Sequence, residues 1–326
     1  MSTLSACIIM KNEEKNILRC LKSIENIANE IIIVDTGSND KSVELVKDLP
    51  KVKLYTFQWI NDFSAARNYA LSKANKKWVL FIDADEELCA ETLPFLKNRL
   101  KAEKKEAISF KLVNLINGKE STSNYTVRLF RRRPYYRFQG KIHEQITPCI
   151  YKKSGMFCIS ETDIKLYHYG YDGDTTDLDA KIQRNLDILN SFEDHEKDGF
   201  YYYNLATEYY RKNDYTLAIK YYNLAEITPS FVQNYILKLS INKGQCLIFL
   251  NRLEEAIEHF LKYTVQFPTF RDLFFFIYSC YIKLKDYKSA YKYIVIYKNM
   301  SIGNYPDLYF DKKHDIDKII CNLEKL

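Results

Sequence analysis

Two carboxylates separated by one residue, Asp83-Ala84-Asp85, directly follow the apolar run Trp78-Val-Leu-Phe-Ile82. Held that close at the end of a buried strand, they repel each other unless a cation lies between them. Hard divalent ions such as Mg2+ and Mn2+ take oxygen ligands and bridge carboxylates to diphosphates, so the pair suggests a metal and nucleotide site. Asp35 ends a second apolar run, Ile31-Ile-Ile-Val34, in the same way. Five of the chain's arginines, Arg128, Arg131, Arg132, Arg133 and Arg137, lie close together downstream. They suit anionic groups such as phosphates. The cluster has three readings: assistance to a diphosphate, binding of an acidic acceptor, or solvated charge on an edge strand.

These residues must be positioned by the elements around them. Residues 4–10 read as a strand, 14–29 as a helix with apolar residues at helical spacing, and Ile31–Val34 as a strand buried on both faces. The turn Asp35–Asp40, a helix over 41–49, strands at 52–57 and 78–82 and a helix over 63–74 complete an alternating pattern, which predicts a mostly parallel sheet. In such sheets ligands bind at the carboxyl ends of the strands, where Asp35 and Asp83 fall. Residues 107–170 hold shorter β-rich pieces, and the chain from Asp177 is helical in pattern. This places a connector at 170–176 and domains at 1–175 and 176–326.

Composition narrows the partners. The 326 residues are 47% hydrophobic and carry a net charge of +6, and the whole excess lies in residues 1–175, with 28 Lys and Arg against 22 Asp and Glu. That bias is too weak for a typical nucleic-acid binder. Eight cysteines without a CxxC pair sit mostly in apolar segments, as reduced buried thiols do, and predict a cytoplasmic protein. No apolar run reaches a membrane span, and the early polar cluster Lys11–Glu14 argues against a signal peptide. Tyrosine is over-represented, with 18 of 27 beyond residue 200.

That half contains a repeat. Small residues (Ala206, Ala218, Ala225), aromatics (Tyr209, Tyr215, Tyr222) and Pro229 follow the tetratricopeptide pattern. A second copy runs through Gly244, Ala256, Phe260 and Pro268, and a third through Tyr281, Tyr287, Ala290 and Tyr297. Three helix pairs suffice for a small solenoid, in which most tyrosines pack and some line a peptide-binding concave face. His195, His259 and His314 are assigned no chemistry.

Four motifs in order, Ile8-Ile-Met-Lys-Asn-Glu13, Ile32-Ile-Val-Asp35-Thr-Gly-Ser-Asn-Asp40, Trp59-x-x-Asp-Phe-Ser-Ala-Ala-Arg67-Asn68 and Phe81-Ile-Asp83-Ala-Asp85-Glu86, resemble those of the family 2 glycosyltransferases of GT-A fold. Phe138-Gln-Gly140-Lys-Ile-His143-Glu144 and Leu166-Tyr-His168-Tyr-Gly-Tyr171 resemble further blocks of that family, and the resemblance covers residues 4 to about 172. With its helical half, the chain is also similar to the bacteriocin S-glycosyltransferases. The resemblance implies an α/β GT-A domain, Rossmann-like with a mostly parallel sheet, followed by an all-α tetratricopeptide-like domain.

It also implies roles. Asp35 binds the base of a nucleoside diphosphate sugar and Glu13 shapes that pocket; Arg67 lies near the diphosphate. Asp83 faces ribose and metal, and Asp85 and His168 are metal ligands for Mg2+ or Mn2+. Glu144 is the catalytic base, although the family's usual acidic pair is here His143-Glu144. Arg128 matches a recurring family position. Each has a structural alternative: a cap for Asp35 or Glu13, an ion pair for Arg67 or Glu144, a packed ring for His168. The expected reaction is inverting hexose transfer from a UDP-sugar, first UDP-glucose, to a Cys or Ser/Thr side chain of a small peptide such as a bacteriocin precursor. Alternatives are a cell-envelope or lipid-linked glycan acceptor, or a non-catalytic repeat scaffold. A homodimer through the repeats is a further expectation.

Overall fold

The computed structural model describes residues 3–116, 118–169, 178–301 and 316–325. The chain divides into two compact units, Met1–Asp177 and Leu178–Leu326. The expected connector at 170–176, and Tyr171 of the last motif, lie outside the described residues.

The first unit runs β1 (Leu4–Met10), α1 (Ile17–Ile24), β2 (Glu30–Asp35), α2 (Ser42–Val46), β3 (Val52–Thr56), α3 (Phe63–Lys73), β4 (Trp78–Phe81), β5 (Glu86–Leu88), α4 (Leu93–Ala102), β6 (Ala107–Ile116), β7 (Lys119–Arg131), α5 (Thr147–Ser154) and β8 (Ile159–His168). All eight strands form one sheet in the order β3-β2-β1-β4-β7-β6-β8-β5. The first four are parallel to one another, as the βα alternation predicts. The other half departs from the expected mostly parallel sheet. β7 runs antiparallel to β4 and β6, and β5 antiparallel to β8, while β6 and β8 are parallel. The reason is local: β7 follows β6 after a gap of two residues, too short for a crossover back to a parallel start.

β2 is buried along its whole length, which its unbroken β-branched run requires between β1 and β3. Beneath the sheet's centre an aromatic group forms from Phe81, Phe130, Tyr136 and Phe138, with the Phe81 and Phe138 rings edge to face at 4.7 Å. Seven of the eight cysteines are buried and free.

The second unit opens with α6 (Leu178–Asn190), then stacks three helix pairs: α7 (Gly199–Arg211) with α8 (Tyr215–Ile227), α9 (Ile236–Phe249) with α10 (Leu253–Gln266), and α11 (Asp272–Lys283) with α12 (Tyr287–Asn299); α13 (Ile316–Leu323) follows. Each pair turns through one left-handed residue at the same place, Asn213, Asn251 and Lys285. The small residues sit where helices meet. Ala206, Ala218, Ala256 and Ala290 are wholly buried, and a Cβ on Gly244 would lie 2.1 Å from the Phe260 ring. Tyr201, Tyr203, Tyr222, Tyr235, Tyr263 and Tyr297 are buried, and others such as Tyr209, Tyr221 and Tyr281 are half-buried against them, so packing accounts for much of the tyrosine excess. Among the described residues no helix is long and apolar enough to cross a membrane.

Candidate functional site

The site is built where β1, β2 and β4 end. Asp35, last residue of β2, is buried, and its carboxylate accepts the backbone N–H groups of Gly37 at 3.1 Å and Ser38 at 3.2 Å. Gly37 has φ +105°, which favours glycine in this turn. Asp35 is thus a turn-closing residue with a fixed carboxylate, and just before the helix that follows Asp40 accepts the Ser42 N–H at 2.9 Å. Across the β1–β2 pair, Glu13 precedes the turn that leads into α1. Its carbonyl accepts the Asn16 and Ile17 N–H groups, its carboxylate accepts the Asn16 amide at 2.9 Å, and its own N–H donates to Ser42 Oγ at 2.7 Å.

Arg67 projects from α3, whose N-cap Asp62 accepts the Ala65 N–H at 2.9 Å. The guanidinium is buried over the Phe81 and Phe138 rings. It donates through Nη2 to Asp83 Oδ1 at 2.8 Å and through Nε to Glu144. Arg128 of β7, one residue beyond the Leu80–Leu129 pair, donates to the other Asp83 oxygen at 3.0 Å and to Glu86. Asp83 therefore lies between two guanidinium groups. Although burial opposes its charge, they hold its carboxyl well below the usual range.

Glu144 reaches the site because its loop is stitched to α3. Asn68 donates to the Phe138 carbonyl at 3.0 Å and accepts the Phe138 N–H at 2.9 Å, and Ser64 donates to the Gly140 carbonyl at 2.6 Å. His143, with φ 54°, is exposed, while Glu144 turns inward to Arg67. Of the His143-Glu144 pair, Glu144 is the member beside Arg67 and Asp83.

At the far side of the site, β8 ends on His168, whose register neighbours are Glu86 in β5 and Asn114 in β6. Its ring lies 3.2 Å from Asp85 Oδ2 through Nε2 and 2.9 Å from Asn114 Oδ1 through Nδ1. Burial lowers its pKa, but Asp85, with help from Glu86 and Asp83, raises it overall. Tyr169 fastens this end: its N–H donates to the Asp85 carbonyl at 3.0 Å, its hydroxyl donates to Glu87, and Arg19 stacks on its ring at 3.5 Å.

Asp83, Asp85 and His168 do not gather as one metal-ligand group, and no cluster of three or more His, Cys, Asp or Glu that could hold an ion occurs among the described residues. Asp85 and His168 face each other, but Arg67 and Arg128 take both oxygens of Asp83. Charge-assisted bonds to two buried guanidinium groups are strong enough to hold the carboxylate there. The remaining pair still suits a divalent cation. It offers one oxygen and one imidazole donor. Nearby, Glu13 is pushed up by burial with Asp85 and Asp83 adding to it, and Glu86 is pushed up to about 7 by burial, with Arg128 opposing and Asp83 and Asp85 adding to it.

Two further features concern the arginines. Arg67 Nη1 and Arg128 Nε are buried donors without a hydrogen-bond partner among the described residues, a state that a multi-oxygen anion relieves. The other members of the arginine cluster lie away from the site. Arg131 packs over Trp78 at 4.5 Å, Arg133 pairs with Glu106, Arg137 bonds a neighbouring carbonyl, and Arg132 is exposed.

Sequence reasoning missed Glu86 as a buried partner of Arg128. The signal was present, since Glu86 and Leu88 share one face of a three-residue strand and both are buried. It also missed Asn68 as the tie between α3 and the loop that carries Glu144.

The glycosyl transferase family 2 model matches residues 5–159, and a tetratricopeptide repeat model matches 201–226 and 237–264. The SPbeta prophage-derived glycosyltransferase SunS of Bacillus subtilis is 33% identical over 193 residues, which are 57% of this chain and 44% of that protein. A TPR repeat-containing protein of Synechococcus elongatus is 32% identical over 212 residues, 61% of this chain and 50% of that one. The chain spans about half the length of these curated relatives. The crystal structure of S. aureus TarS 1-349 in complex with UDP-GlcNAc has 15% identity and a TM-score of 0.45, covering 75% of this chain and 80% of that chain. The first unit is thus similar to the family 2 glycosyl transferases over residues 5–159, and two stretches of the second unit are similar to the tetratricopeptide repeat.

Proposed function

We propose that the chain is a metal-dependent inverting glycosyltransferase that moves a hexose from a UDP-sugar, with UDP-glucose the first donor to test, to a Cys sulfur or a Ser/Thr oxygen of a small peptide. The observation that carries this proposal is the meeting of Arg67 and Arg128 at Asp83, each with a buried donor left over, beside the fixed carboxylate end of β2. Two guanidinium groups with unused donors suit a diphosphate, and Asp35 with Glu13 suits the adjoining base.

Asp83 fixes both guanidinium planes and faces the ribose. Asp85 and His168 are the residues that would hold Mg2+ or Mn2+, which when bound supplies a Lewis acid for the departing diphosphate. Glu144, positioned by Arg67 and the Asn68 tie, accepts the acceptor's thiol or hydroxyl proton. As the sulfur or oxygen bonds to the anomeric carbon, the carbon–oxygen bond on the opposite face breaks and its electron pair leaves with the diphosphate. The peptide acceptor is supported by the repeat unit, because stacked helix pairs hold extended or helical peptides along a common face.

Mass spectrometry of Cys- and Ser-containing peptides incubated with the protein, Mg2+ or Mn2+ and a panel of UDP-sugars tests the proposal. Addition of one hexose is expected; no addition with any donor, despite slow donor hydrolysis, counts against a peptide acceptor. Absence of both nucleotide binding and hydrolysis counts against an enzyme.

A further inference from the structure

The opposite edge of the sheet, where β4, β6 and β8 begin and β7 ends, carries a different surface. An open concavity of about 320 Å³ lies there, lined by Asn75, Lys76, Lys77, Arg131, Arg132 and Arg133. The carboxylates around it are already occupied: Glu30 accepts the Asn75 N–H at 2.9 Å and pairs with Lys53 at 2.7 Å. Glu106 accepts two hydrogen bonds from Arg133, at 2.8 and 2.6 Å, and Glu103 pairs with Arg99 at 3.2 Å. Arg131 is turned inward, donating to the Glu103 carbonyl at 2.6 Å. The outward charge comes from Lys76, Lys77 and Arg132, and the Arg132 N–H donates to the Lys77 carbonyl at 2.9 Å, which fixes the last two side by side.

Next to this concavity the chain leaves α5 through Gly155 and presents Met156 and Phe157, 71% and 90% exposed. Side-chain hydrogen bonds to the backbone join tip and concavity: Lys105 Nζ donates to the Phe157 carbonyl at 2.6 Å, and Arg131 Nε donates to the Lys105 carbonyl at 3.1 Å. Lys152 and Lys153, in the last turn of α5, precede the tip in the chain. Single exposed apolar residues are common on soluble proteins. Two large adjacent ones at a turn tip, framed by cations whose acidic neighbours are spent, match the boundary of an anionic bilayer, where lysine and arginine meet lipid phosphates and apolar side chains enter the acyl region. A nucleic acid would use the cations and a stacked ring, but gives no role to Met156.

We propose that this edge is a docking surface for an anionic lipid bilayer, which the first unit binds peripherally while its candidate site, at the other ends of the strands, faces away from the lipid. The full chain should sediment with phosphatidylcholine vesicles containing about one third phosphatidylglycerol, far more than with phosphatidylcholine alone, and should be released at high salt. Met156→Ser with Phe157→Ser should weaken binding about tenfold or more, and Lys76→Glu, Lys77→Glu and Arg132→Glu together roughly a hundredfold. These residues are surface groups, and an unchanged far-UV circular dichroism spectrum checks that each variant folds. Three results each overturn the proposal: wild-type sedimentation equal on neutral and anionic vesicles, binding unchanged in either variant, or an oligonucleotide that displaces the protein from vesicles while the Met156/Phe157 variant binds normally.

Discussion

Arg67 Nη2 lies 2.8 Å from Asp83 Oδ1, joining α3 to the end of β4 inside a buried site. Removing the guanidinium leaves Asp83 and Glu144 with one cation, Arg128, between them and strands the Glu144 carboxylate. Arg67→Ala should lower folding stability by about 3–5 kcal/mol and abolish donor hydrolysis. Urea unfolding of the variant at neutral pH measures the first and nucleotide release the second.

Glu144→Gln keeps the size of the side chain and one acceptor oxygen for Arg67. Nucleotide affinity, read by calorimetry with UDP, should therefore stay within about twofold of wild type, while transfer falls by roughly a hundredfold or more. Full activity in this variant removes Glu144 as the base.

Asp85→Ala deletes the oxygen donor that faces His168. Mn2+ binding, followed by electron paramagnetic resonance of the free ion, should weaken by at least about tenfold, and metal-stimulated turnover should disappear. Equal Mn2+ titrations for variant and wild type would place the ion elsewhere.

In the second unit Gly244 faces the wholly buried Phe260 ring, which is itself stacked on Phe276 at 5.3 Å. The ring has nowhere to retreat. Gly244→Ala should destabilise by about 1–3 kcal/mol, despite the better helix propensity of alanine, and Phe260→Leu in the same chain should return part of the loss. Thermal melts of the single and double variants decide this.

His259 is buried in α10, with Nε2 2.8 Å from the Ser240 carbonyl. Burial, then the Lys243 charge, lowers its pKa from 6.5 to about 4. The unfolded chain therefore binds the proton first as pH falls, so stability is full above about pH 6.5 and is lost as pH falls toward 4. The full separation corresponds to about 3 kcal/mol. Urea midpoints measured at pH 7 and pH 4.5 should differ in that direction, and His259→Gln should narrow the difference.

Much of this fold was legible because local patterns decide it. Ile31–Val34 can be so apolar only when covered on both faces, and the spacings of 38 residues from Ala218 to Ala256 and 34 from Ala256 to Ala290 reappear in the left-handed turn residues Asn213, Asn251 and Lys285. The carboxylates at the strand ends were legible for the same reason. What Asp83 does with its two oxygens was not, because the answer comes from the pairing of β7 with β4, 45 residues away in the chain, and from the burial of Glu86. The polar start of β7, Lys119–Asn124, carries no strand signal of its own and pairs because β6 is beside it. In the structure Asp83 pairs with Arg67 and Arg128, while Asp85 faces His168.

Asn68, with its two hydrogen bonds to Phe138, spans 70 residues of chain, and the pairs Arg67–Glu144 and Asp85–His168 span 77 and 83. Loops of that length close late, after local helices and neighbouring strands have formed. A ribosome-bound chain that has not yet released His168 therefore holds no assembled candidate site, and these contacts form only when synthesis of the whole first unit is finished.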